Sequence, residues 1–110
     1  MRQKKLPENF EYVPDMYSDE YFPNFLVDKI RDIIKVAVLF IEGGNHSKDQ
    51  IQGAFDQMTV AINDLQEEFE ENDSELETGA RESIGETVER IIEYFGIDID
   101  GEEAIRERDW

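Results

Sequence analysis

The stretch from Ser47 to Glu71, SKDQIQGAFDQMTVAINDLQEEFEE, decides the fold of this chain. Its apolar residues recur every three or four positions, the spacing that places side chains on one face of an α-helix. They are Ile51, Phe55, Met58, Ile62, Leu65 and Phe69. Ser47 and Gln50 form a capping-box pattern, in which each side chain bonds to the other residue's backbone N–H. The sequence therefore predicts one long amphipathic helix from Ser47 to Glu71.

A long helix is predicted on either side of this one. The first begins near Pro23, a residue suited to the first turn of a helix, and ends at Gly43-Gly44. Its segment from Val36 to Ile41 is apolar on every side, which predicts that this half is the buried centre of the fold. The other helix begins at a second capping-box pattern, Ser74 to Glu77, and ends at Gly96.

The ends of the chain complete the predicted fold. Half of the aromatic residues lie between Phe10 and Phe25, so residues 1–22 are predicted to form an aromatic strap whose rings pack onto the helices and whose first few residues are mobile. Asp100 is placed to cap a short helix that runs towards Trp110, which is expected to pack onto the core. Short connections imply antiparallel neighbours. We predict an all-α single domain: an antiparallel three- to four-helix bundle over residues 23–110 with an N-terminal strap.

Composition restricts the class of partner. The net charge is −17, from 28 acidic and 11 basic residues, so phosphate backbones and anionic lipids repel the chain and a basic protein is its natural counterpart. Direct nucleic-acid binding and membrane binding are not expected. The chain has no cysteine and no apolar run long enough to span a bilayer, and we expect no secretory signal, because Leu-Pro-Glu-Asn follows the basic N-terminal residues. These features predict a soluble cytoplasmic protein.

Three stretches carry a resemblance. They are MYSDEYFPNFLVDK at 16–29, NDLQEEFEEN at 63–72 with the Ser-Glu and Ala-Arg-Glu that follow at 74–75 and 80–82, and the ending Arg-Asp-Trp at 108–110. In these stretches the chain resembles a family of small acidic bacterial proteins of unknown function. The resemblance implies a bacterial origin and a single domain. It supplies no activity, cofactor or catalytic residue.

The candidate binding residues lie in a gap without basic side chains. No lysine or arginine occurs between Lys48 and Arg81, whereas four glutamates crowd the last turns of the predicted central helix, where the helix dipole disfavours anions. With an aspartate on either side, the candidate binding residues are Asp64, Glu67, Glu68, Glu70, Glu71 and Asp73. Our leading interpretation is a docking patch, which makes the protein an interaction module for a basic partner. The alternative is a solvated helix face that only keeps the protein soluble.

Two other functions stay open. Tyr17, Asp19 and Tyr21 could line a pocket between the strap and the first long helix, as in a small-molecule-binding domain or an enzyme. The apolar end of that helix could instead hold together a structural homo-oligomer, if the bundle leaves it uncovered.

Catalytic and metal-binding motifs are missing from the sequence. His46 is the only histidine, which excludes two-histidine zinc motifs and the usual di-iron carboxylate bundle. The segment that begins at Gly96 partly matches a calcium-binding loop, but glycine occupies the position of the first acidic ligand. We therefore expect no metal and no cofactor. Gly53, Gly79 and Gly85 lie inside predicted helices, and we interpret them as sites where helices approach closely; a ligand that touches the backbone there is the alternative.

Overall fold

A computed structural model describes residues 5–110, and every regular element in that range is an α-helix. These are α1 (Pro14–Tyr17), α2 (Asn24–Glu42), α3 (Lys48–Asn63), α4 (Gln66–Glu71), α5 (Thr78–Phe95) and α6 (Gly101–Ala104). The all-α prediction is confirmed. The predicted mobility of the first residues falls mainly on 1–4, which lie outside the described residues. None of the helices in 5–110 has the length and apolar character needed to cross a membrane.

The core is formed where α2, α3 and α5 turn their apolar faces inward. α2 and α3 pack along each other, and the short link at 43–47 requires them to run antiparallel. α5 contacts α1 and α6, and α6 also contacts α3. The completely buried side chains of these helices include Leu26, Ile30, Ile34, Phe55, Ile62, Ile84, Val88 and Ile91. Burial of a side chain of this size contributes about 1.5–3 kcal/mol.

Of the two predicted capping boxes, one forms. The Ser47 hydroxyl accepts a hydrogen bond from the Gln50 backbone N–H at 3.1 Å, and the Gln50 side chain accepts one from the Ser47 N–H at 2.8 Å. The box at Ser74 is wrong, because α5 begins four residues later, after Glu77. Ser74 instead ends α4: its N–H donates to the Phe69 carbonyl at 2.9 Å, across the left-handed residue Asp73.

The predicted helix from Ser47 to Glu71 is also wrong as a single element. It divides into α3 and α4 at residues 64–65, where the Leu65 N–H bonds to the Ile62 carbonyl only three residues back, at 3.0 Å. This tighter turn redirects the chain. As a result Phe69 of α4 is completely buried and packs edge-to-face with Phe22, with 6.5 Å between the ring centroids.

The apolar half of α2 is only partly buried. Ala37, Val38 and Ile41 face the core, whereas Val36 is 68% exposed and Leu39 65%. The prediction that this half is the buried centre is therefore wrong for its outer face. The physical reason is that α3 packs on one side of α2 and the N-terminal segment on the other, and the face between them is left in water.

The N-terminal segment is attached mainly by aliphatic residues. Val13 and Met16 are completely buried, and the Val13 N–H donates to the Thr87 hydroxyl of α5 at 2.9 Å. Val13 has a φ of 42°, an unusual conformation for a β-branched residue. Aromatic side chains of the segment are only partly buried against this core, with Phe22 an exception at 3% exposure. At the other end Trp110 is buried, as predicted. The division at residue 22 stays a prediction.

Candidate docking surface

Six carboxylates form the acidic patch: Asp64, Glu67, Glu68, Glu70, Glu71 and Asp73. Asp64 follows α3, the four glutamates belong to α4, and Asp73 lies in the turn that follows. All are exposed except the half-buried Glu68. Asp64, Glu67, Glu68 and Glu71 surround a depression of about 510 Å³, with Asn72 at its edge. The structure thus brings four of the six predicted residues together on a surface that no other part of 5–110 covers.

The charge of the acidic patch is almost uncompensated. Within residues 5–110 its one ion pair joins Glu68 to Lys29 of α2, with Nζ 2.5 Å from the carboxylate oxygen. Because α4 is a separate helix, Glu67 and Glu68 lie in its first turn, where the helix dipole favours anions. Glu70 and Glu71 occupy its last turn, where the dipole disfavours them. The unfavourable placement inferred from the sequence therefore applies to two of the four glutamates.

The carboxylates of the acidic patch form no metal site with any described residue. No three acidic or histidine side chains within residues 5–110 are arranged so that they could hold a metal ion. His46 lies in the link between α2 and α3, stacked on the Phe40 ring with 3.8 Å between the ring centroids.

An apolar groove of about 450 Å³ lies between α2 and α3. We call it the α2–α3 groove. Its α2 wall is Ile33, Val36, Ala37 and Phe40, and its α3 wall is Gln50, Gly53, Ala54, Gln57, Met58 and Ala61. None of these ten side chains is charged, although 35% of the residues in the chain are. Sequence reasoning assigned the residues of its α2 wall to the core; the alternative that the apolar end of this helix stays uncovered describes Val36 and Phe40 correctly, but it did not predict a groove shared with α3.

Gly53 shows why the groove is open on the α3 side. A Cβ atom added at Gly53 would meet no other atom within 4 Å, and the same holds for Gly79 and Gly85. The interpretation of these glycines as close helix contacts is therefore wrong. At Gly53 the missing side chain leaves space in the groove instead.

The α2–α3 groove and the acidic patch are adjacent. Ala61 lines the groove and Asp64 lines the acidic depression, and residues three apart in a helix lie on the same face. On the α2 side, Ile33 lines the groove, and Lys29, four residues earlier, reaches Glu68. An uncharged surface therefore leads directly into a strongly negative one.

A second cavity, of about 660 Å³, lies between the N-terminal segment and α2. We call it the strap cavity. Its lining includes three aromatic rings, two basic side chains and three glutamates: Phe10, Tyr12, Tyr17, Arg31, Lys35, Glu8, Glu11 and Glu42. Of the three residues proposed from sequence for a pocket here, Tyr17 is on its wall. Asp19 and Tyr21 are not: the Asp19 carboxylate accepts a hydrogen bond from the Tyr21 N–H at 3.0 Å, and the Tyr21 ring packs on Phe22.

The polar groups of the strap cavity are held by hydrogen bonds. The Tyr17 hydroxyl donates to the Asp28 carboxylate at 2.5 Å, and the Arg31 guanidinium lies 3.4 Å from the same oxygen. Burial, together with the hydrogen bond to Asp28, raises the pKa of Tyr17 to about 12. Lys35 holds its ammonium 5.6 Å from the centre of the Tyr12 ring, at the distance of a cation–π contact.

Comparison with known proteins gives one result. No curated protein and no solved structure matches the chain. A family model does, and it covers residues 6–110, nearly the whole length. The resemblance seen in the sequence to a family without known function is confirmed: the chain belongs to DUF5713, a family of unknown function.

Proposed function

We propose that the protein is an interaction module that binds a basic protein at the acidic patch. The observation that supports this most directly is the exposure of Asp64, Glu67 and Glu71 around one depression, where Lys29 is the one cation within residues 5–110 that pairs with the acidic patch. Like charges held close together on a folded surface create a local negative potential. Such a field raises the association rate of a cationic partner and selects against anionic ones.

Salt dependence and charge removal test this proposal. The protein is immobilised and used to capture proteins from an extract of its native cell at low and at high salt. Salt screens exposed charges, with a Debye length of about 10 Å at 0.1 M. We therefore expect a lysine- or arginine-rich protein to be retained at low salt and released at high salt. A variant with Glu67, Glu68, Glu70 and Glu71 all changed to Gln should fail to retain it.

A charge-matched control separates the acidic patch from the overall charge. Changing Glu82, Glu86, Glu93 and Glu102 to Gln removes the same charge from exposed positions on α5 and α6. This control variant should retain the partner. A partner that both variants bind equally well does not use the acidic patch, and the proposal then fails.

The strap cavity supports a second candidate function, binding of a small uncharged aromatic molecule. Its volume lies within the range of ligand sites, about 300–1,000 Å³. Phe10 and Tyr17 offer ring surface, and the mixture of basic and acidic side chains on the walls favours a ligand without net charge. Saturation-transfer NMR with phenol tests it: signal transfer in the wild type that is lost in Tyr17→Ala supports the candidate. No transfer in the wild type, or equal transfer in both proteins, rejects it.

A further inference from the structure

We propose that the α2–α3 groove binds one amphipathic helix of the partner, with its apolar face in the groove and lysines or arginines at the end that reaches the acidic patch. This inference rests on the proposed function and names the part of the partner that would be recognised. An amphipathic helix laid in an apolar groove is a recurrent form of peptide recognition.

The first argument is the apolar surface that is left in water. Val36 is 68% exposed and Phe40 38%, and both line the groove. Exposed apolar area that is removed from water yields about 25 cal/mol per Å². The folded chain leaves this contribution unused, so a ligand that covers Val36 and Phe40 gains it on binding.

The second argument is the absence of charge in the groove. Burying a charged side chain without a partner costs several kcal/mol. Because none of the ten lining residues is charged, an apolar helix face can cover the groove without this cost. The polar members, Gln50 and Gln57, stand on the α3 wall, and Gln50 already accepts a bond in the Ser47 cap.

Length and polarity define the occupant further. Gln50 and Ala61 mark the two ends of the α3 wall, and the eleven helical steps between them span about 16 Å, or three turns of a partner helix. Gly53, Ala54 and Ala61 are small and would let its backbone approach closely. One turn beyond Ala61 the partner helix would meet Asp64. The basic residues of the partner helix therefore belong at the end that lies beside Asp64.

Charge also argues against a second copy of this chain as the occupant. Each copy carries a net charge of −17, and two copies repel each other at long range. A helix with lysines at one end is instead attracted to the same place. The acidic patch beside the groove therefore favours a basic partner helix over self-association.

Three synthetic peptides of about four helical turns test the inference. The first has leucines at helical spacing on one face and four lysines at its C-terminal end, where lysines also suit the helix dipole. The second has the same composition with the leucines spread around the helix. The third has the lysines replaced by glutamine. Fluorescence anisotropy measures the binding of each peptide to the full chain.

Variants locate the bound peptide. Val36→Gln and Gly53→Gln alter the groove at an exposed and an open position, where neither substitution disturbs the core. Leu39→Gln is the matched control: it is equally exposed on the same helix, but lines the strap cavity. The amphipathic lysine peptide should bind at least about tenfold more tightly than the rearranged one. Each groove variant should weaken its binding about fivefold or more, and Leu39→Gln less than about twofold.

Three other results would each reject a named part of the inference. Equal binding of the two lysine peptides, unaffected by Val36→Gln but weakened by the four Glu→Gln changes in the acidic patch, rejects the groove and leaves the proposed function standing. Binding of the leucine face that ignores both the lysines and the acidic patch rejects the basic end and the proposed function together. Light scattering that shows wild-type dimers dissociated by Val36→Gln would assign the groove to a second copy and overturn the partner helix.

Discussion

Lys29 of α2 and Glu68 of α4 form an ion pair, with Nζ 2.5 Å from the carboxylate oxygen, at the boundary between the apolar groove and the acidic patch. The pair links two helices through residues that are 39 positions apart in sequence. Within residues 5–110, Lys29 is the one cation that forms an ion pair with the acidic patch. It therefore lies next to the carboxylates that we propose as the docking site. Both side chains remain partly exposed, so the contact contributes little to stability, about 0–1 kcal/mol.

Lys29→Gln should strengthen the binding of a cationic peptide. It removes the positive charge that offsets Glu68, and we expect the lysine peptide to bind about two- to fivefold more tightly at low salt. The free energy of unfolding should fall by less than about 1 kcal/mol. Lys35→Gln makes the same change of charge beside the strap cavity and serves as the control. Weaker binding of the peptide to the Lys29 variant would mean that Lys29 itself contacts the ligand.

Ser47→Ala and Ser74→Ala should differ sharply in stability. The Ser47 hydroxyl caps α3, and its loss should lower the free energy of unfolding by about 1 kcal/mol. The Ser74 hydroxyl is buried and makes no hydrogen bond of ordinary geometry, so its removal should change stability by less than about 0.5 kcal/mol or increase it. Urea unfolding of both variants measures the difference. An equal loss in the two proteins would show that Ser74 does cap a helix.

Tyr17 should make stability fall at high pH. Its pKa is raised from 10.0 to about 12 by burial and by the hydrogen bond to Asp28, so folding favours the protonated phenol. This contribution is fully present below pH 10 and is lost as the pH rises towards 12. Wild-type protein should therefore lose more stability over this interval than Tyr17→Phe.

The tyrosinate absorbance during an alkaline titration checks the cause. In Asp28→Asn the acceptor carboxylate is gone, and Tyr17 should ionise at a lower pH than in the wild type. Subtracting the titration of Tyr17→Phe isolates its signal from those of the other tyrosines. An unchanged titration in Asp28→Asn would show that the hydrogen bond does not hold the proton.

The parts of the fold that could be predicted depend on short-range signals. The stripe from Ile51 to Ile62, the Ser47 cap and the left-handed glycine at the end of α5 each act within a few residues. The Ser74 cap failed because the same serine can also end the preceding helix, and its bond to Phe69 decides between the two. Local pattern cannot make that choice, since the choice depends on where α4 turns towards the core.

The candidate site divides in the same way. The acidic patch could be located from sequence because a dense run of carboxylates is forced into water wherever the fold places it. The α2–α3 groove could not be located from sequence, because it depends on which side of α2 is left uncovered. Val36 is exposed although valine is a residue type that is usually found in the core. Tyr17, Asp19 and Tyr21 were grouped by proximity in sequence, but α1 ends at Tyr17 and the chain then changes direction.

Amide chemical-shift mapping of the full chain with the lysine-ended amphipathic peptide tests most directly whether the groove and the acidic patch act as one docking surface. The account predicts shifts confined to the α2 wall at 33–40 and to residues 50–71, with α5 and α6 unaffected and the shifts reduced by added salt. Shifts centred on α5 or α6, or spread evenly over the acidic surface, would contradict it.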